Sequence, residues 1–158
     1  MILAALILIL STALFFFYLQ VTCMKVLRRQ FDQDYFLSIV NANRLEFPSV
    51  RRALEDFAPP VDYSRLRMML KCDFVALAYL LKNAANVNQQ YSHEQRLLIL
   101  YFRLIFLSLL TRHLLKLSEK PAVMKLTAIL QYFANVVGQR VSTVRFGNLT
   151  VSESLLEL

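Results

Sequence analysis

Two histidines, two cysteines and one acid set among apolar residues are the side chains from which any chemistry would be built. His93 and His113 lie twenty residues apart. On one helix, at about 1.5 Å per residue, that is about 30 Å, so they cannot share a metal or a haem. Cys23 and Cys72 fall in different predicted elements, and neither belongs to a C-x-x-C or C-x-x-C-H pattern. In a reducing compartment they read as small apolar residues, not as a disulfide. There is no phosphate-binding glycine loop and no H-E-x-x-H. The expectation is a protein that is not an enzyme and that uses no metal or cofactor. A small redox or ligand-binding role centred on His113 is the outlying alternative. Tyr91, Tyr101, Phe102, Phe106, Tyr132 and Phe133 would then line a pigment, quinone or lipid pocket. At helical spacing these rings read first as core packing.

What remains is one pair of opposite charges. Asp73 sits among Leu70, Phe74, Leu77 and Leu80. At about 100° per residue it lies about 200° around its helix from Lys71. Arg103 sits near the middle of "LLILYFRLIFLSLL", residues 97–110. Were that stretch to cross a membrane, Arg103 would cost about 2.5–3.5 kcal/mol at its centre. Eight residues separate it from Arg112, well short of the ~18 a span requires. The stretch therefore reads as a helix of a folded domain, and a charge buried there needs a partner. Asp73 precedes Asn83 by ten residues and Arg103 follows His93 by ten. In an antiparallel hairpin the two share one height, and an Asp73–Arg103 ion pair is predicted, its role being register more than stability. The alternative is an Arg103 that buries only its stem at the bundle edge or meets a partner subunit.

The elements that would position these residues are helical. The 158 residues include two glycines and four prolines, and 57% are apolar. Scarce breakers with abundant Leu, Ala, Arg and Lys favour helix. Residues 1–24 carry no charge and would extend about 36 Å as a helix, more than the ~30 Å hydrocarbon core. They lack the basic start of a cleaved signal, and their apolar run outlasts its central region. An uncleaved transmembrane anchor is expected. Lys25, Arg28 and Arg29 follow it and no basic residue precedes it. The positive-inside rule then places the N-terminus outside and the body in the cytoplasm.

Residues 25–62 read as an amphipathic juxtamembrane segment and linker. Leu27, Phe31, Tyr35 and Ile39 recur at four-residue spacing, which suits an extension along the membrane surface. A short helix follows, capped by Ser49 and stopped by Pro59-Pro60. Residues 63–138 form the domain proper, a bundle of three main helices near 64–83, 92–117 and 120–138. Asp62 or Ser64 caps the first, and Arg67, Lys71, Ala78 and Lys82 share one stripe on it. Ser92 with Gln95 makes a capping box for the second. Ser118 caps the third, Pro121 fits its first turn, and Gly138 ends it. The tail, 139–158, is expected to be irregular or a small hairpin around Gly147-Asn148.

The net charge of +7 is uneven. Residues 25–62 carry six basic and six acidic groups, whereas 63–117 carry eight basic and two acidic. The excess sits on the two central helices, where it would face anionic headgroups, at about 1 kcal/mol per basic residue, or an acidic partner. No nucleic-acid-binding motif accompanies it. The sequence thus points to an all-α, single-pass membrane protein with a small basic cytoplasmic bundle. The role expected is that of a non-catalytic accessory or scaffolding subunit, with integral-membrane subunits of a respiratory or photosynthetic type of complex as partners. A free-standing anchored adaptor binding anionic lipid or an acidic protein is the alternative.

Overall fold

The computed structural model describes residues 2–28, 31, 35–56, 62–83 and 92–156, with side chains described up to residue 143. The described residues form six helices and no strand. They are α1 (Ile2–Leu27), α2 (Phe36–Asn43), α3 (Phe47–Glu55), α4 (Tyr63–Asn83), α5 (His93–Leu114) and α6 (Lys120–Leu156).

The bundle is organised around α6. From Ala122 to Val137 this helix is mostly apolar, with Lys125, Thr127, Gln131 and Asn135 as its polar residues, and Val123, Leu126, Ile129, Leu130, Phe133 and Ala134 are all fully buried. A helix with apolar residues over so much of its circumference is surrounded by others. α4, α2, α5 and α3 all pack on it, and α1 touches it as well. α4 contributes Leu66, Leu70, Leu77 and Leu81 to the core, and α5 contributes Leu98, Phe102, Ile105 and Leu109. These residues recur at steps of three, four or seven, the spacing that places them on one face.

α1 is exposed from Leu3 to Tyr18 and enters the core through Leu19 and Cys23, with Val26 and Leu27 partly buried against it. Its Thr12 hydroxyl donates to the Leu8 carbonyl at 2.8 Å, which satisfies that polar group within the helix itself. α1 and α5 are both long and apolar enough to cross a membrane. They differ in surroundings. Among the 18 residues of the apolar window, 6% are buried in α1 and 28% in α5.

Three sequence expectations are corrected here. The juxtamembrane stretch is not an extension of α1 along a surface. α1 ends at Leu27, and α2 is a separate helix that packs on α6. The third main helix does not stop at Gly138, and the tail is not a hairpin. α6 continues to Leu156, and Gly138 has no positive φ. Gly138 serves close approach: a Cβ there would collide with the Cβ of Tyr35 and sit 3.1 Å from its carbonyl oxygen. Finally, Ser49 does not precede α3 but lies inside its first turn, bonding the Glu46 carbonyl at 2.6 Å. Pro59 and Pro60 lie outside the described residues.

The Ser92–Gln95 capping box is present in both directions, at 3.3 and 3.1 Å. Asp62, not Ser64, caps α4, its side chain accepting the Ser64 N–H at 3.4 Å. Glycine being scarce, two helices end on basic residues in the left-handed region. Arg44 and Lys116 both have φ 53°. The following residues close the turn, Leu45 N–H to the Val40 carbonyl at 3.1 Å and Leu117 N–H to Arg112 at 2.9 Å.

Candidate functional site: a basic groove between α4 and α5

α4 and α5 form an antiparallel hairpin whose two arms approach α6 more closely than they approach each other. Rings bridge the gap. Phe74 stacks on Phe102 with centroids 4.0 Å apart, and Tyr63 stacks on His113 at 3.6 Å. Both pairs obey one register, which places position 73 opposite position 103. The height inferred from the sequence is therefore found, yet the ion pair is not made.

The reason is rotation. Asp73 is buried and turned toward α3, where a single carboxylate oxygen accepts the N–H of Phe47 at 2.6 Å and of Glu46 at 2.9 Å. Arg103 is exposed on the opposite side of the hairpin. Burial pushes the Asp73 carboxyl above its ordinary value, the two N–H donors pull it down, and the nearby Glu46 carboxylate raises it further, leaving it raised. α3, nine residues long, has no cap of its own. Alone it would be too short to persist in water, and Asp73 supplies what its N-terminus lacks. α2 is treated alike: the Asn135 side chain on α6 accepts the Phe36 N–H at 2.9 Å. These two cross-element caps were not read in the sequence. The signal available was an acid and an amide on otherwise buried helix faces.

Arg103 instead helps line a groove of about 450 Å³ between the two arms. Its floor is Phe74, Phe102 and Phe106, and its walls are Val75, Leu107 and Leu110. Three cations ring it: Arg67, Lys71 and Arg103. The Arg67 guanidinium lies 5.7 Å from the centre of the Phe106 ring, within the range of a cation–π contact. A second hollow of about 730 Å³ adjoins it along α4, sharing Arg67, Lys71 and Val75 and adding Met68, Cys72 and Tyr79. Among the described residues no acidic side chain lines either. The sequence placed Arg67 and Lys71 on one stripe; it did not bring Arg103 to them.

The other expected sites are simply placed. Lys25 and Arg28 are exposed at the end of α1, and Arg29 lies outside the described residues. His113 is exposed, with its Nδ1 2.7 Å from Glu119. Both cysteines are free, Cys23 buried and Cys72 exposed. Among the described residues no cluster of His, Cys, Asp or Glu is arranged to hold a metal. Comparison with known proteins returns no matching family model, no matching curated protein and no matching solved structure.

Proposed function

We propose that this chain is a non-catalytic, single-pass accessory or scaffolding subunit of a larger membrane protein complex, of the respiratory or photosynthetic kind. In this reading α1 spans the bilayer with its N-terminus outside, and α2–α6 form a cytoplasmic domain that grips the complex.

One observation carries the reading: α1 is bare along most of its length yet buried where it meets the domain. Ten Leu, Ile and Phe side chains between Leu3 and Phe17 exposed to water would be untenable, and a bilayer or a neighbouring helix removes that cost. At the other end Leu19 and Cys23 are sunk in the core, with Cys23 Sγ 4.0 Å from the Leu97 carbonyl. The anchor is thus continuous with the domain, so a partner held by one is presented to the other. Lys25 and Arg28 at the domain end support the cytoplasmic orientation. The central Arg103 and the packing of α5 on α6 support one span over two.

The test is gentle detergent extraction of tagged protein from its own membrane, followed by native electrophoresis and mass spectrometry. Co-migration at fixed stoichiometry with an integral-membrane assembly is expected. Migration as a small single species would overturn the reading in favour of a free-standing anchored adaptor.

A further inference from the structure

We propose that the α4–α5 groove is a docking site for one amphipathic helix of a partner protein, apolar on the face that enters and acidic along its flanks. The inference names the chemistry of the contact that the accessory-subunit reading requires, and it rests on that reading only for the identity of the partner.

Each arm presents an outward seam with coiled-coil spacing. On α4 the seam is Met68, Cys72, Val75 and Tyr79, steps of four, three and four, all exposed. On α5 it is Leu100, Arg103, Leu107 and Leu110, steps of three, four and three. Such steps keep one stripe aligned with a neighbouring helix. Neither seam is used by the bundle, whose core residues lie on the other faces of α4 and α5. Met68 to Tyr79 extends about 16 Å at about 1.5 Å per residue, three turns of a docked helix. The trough between the seams is floored by rings, the sort of surface into which apolar helix anchors insert.

Charge selects the occupant. Arg67, Lys71 and Arg103 rim the trough without a lining acid. A second copy of this chain would set like charges against each other, so self-pairing through this face is disfavoured. A helix carrying Glu or Asp beside its apolar stripe meets all three. An anionic lipid would meet the same three cations, and the test separates it from the acidic helix.

The test uses the full chain in mild neutral detergent. The probes are a roughly 21-residue Leu/Ala helix flanked by Glu, the same helix flanked by Lys, sodium oleate, and vesicles containing phosphatidylglycerol. The readouts are fluorescence anisotropy and protection of Cys72 from a maleimide. The Glu-flanked helix is expected to bind, to shield Cys72, and to weaken as salt rises. Reversal of Arg67 and Arg103 together (R67E/R103E) should weaken it about tenfold or more. The same variant should bind the Lys-flanked helix instead, which a misfolded variant would not do. Equal binding of both helices by the parent chain would overturn the proposal. So would protection of Cys72 by oleate or vesicles but not by the acidic helix. Failure here is distinct from failure of the accessory-subunit reading. Co-migration in native membranes that survives R67E/R103E would refute the groove alone. A chain that migrates by itself yet binds the acidic helix would refute the subunit reading alone.

Discussion

Asp73, in the middle of α4, closes the N-terminus of α3 by accepting the Phe47 N–H at 2.6 Å. The same oxygen takes the Glu46 N–H at 2.9 Å. The buried acid is therefore a hub of backbone order, and its charge is secondary. Asp73→Ala leaves two N–H groups without a partner and should destabilise the protein by about 1–3 kcal/mol. Asp73→Asn keeps one carbonyl oxygen where both bonds converge and should cost far less. Urea melts of the full chain in mild detergent, followed by circular dichroism, measure both.

The same carboxyl predicts a pH dependence. Burial raises its folded value above the ordinary 3.8. The folded state thus holds that proton more tightly than the unfolded chain does. Raising the pH from about 4 through the raised value removes stability, because the unfolded state binds fewer protons in that window. Asp73→Asn cannot titrate. Its stability relative to the parent should therefore climb across this window and level off above it. A relative stability that falls instead would mean the hydrogen bonds, not burial, dominate.

How much of this was legible in the sequence depends on which coordinate is asked for. Axial position was: residue counting put Asp73 level with Arg103, and the Phe74–Phe102 stack at 4.0 Å shows that register. Azimuth was not. Which way Asp73 turns depends on α3, whose start was misplaced because Ser49 looked like a cap while the true cap comes from another helix. The Ser92–Gln95 box was legible because both partners are local. The continuation of α6 was not, because glycine normally signals an end, and here Gly138 answers to Tyr35 instead. The groove needed the rotation of both arms and so was invisible until they were placed.

Gly138→Ala tests that last relation. By helix propensity alone the change should stabilise by about 1 kcal/mol. The new Cβ, however, would meet the Cβ of Tyr35, close to backbone and with nowhere to swing. Overpacking of this sort costs about 1–3 kcal/mol. Net destabilisation, together with loosening of α2 in hydrogen exchange, is expected. Stabilisation would mean that α2 does not press on α6 as described.

Lys116 offers the opposite case. Its φ of 53° lies where an L side chain is strained, at about 1–2 kcal/mol relative to glycine. It is exposed and occupies the left-handed position that closes α5. Lys116→Gly should raise stability by roughly 0.5–1 kcal/mol, part of the gain being returned to the freer unfolded chain. An unchanged or lower melting temperature would place the strain elsewhere.

The two cysteines report the anchor's docking and its orientation in one experiment. Cys72 is exposed on the α4 seam and Cys23 is buried between α1 and α5. The chain is expressed in a host without its partners, so that nothing covers α4, and is treated with a membrane-impermeant maleimide. Sealed cells should give no labelling. Inverted vesicles should give labelling that Cys72→Ser abolishes. Cys23 should react only after denaturant opens the core. Labelling of Cys72 from the outer side would reverse the orientation argued from Lys25 and Arg28. Labelling of Cys23 in the native protein would detach α1 from the domain and remove the mechanical link on which the subunit reading stands.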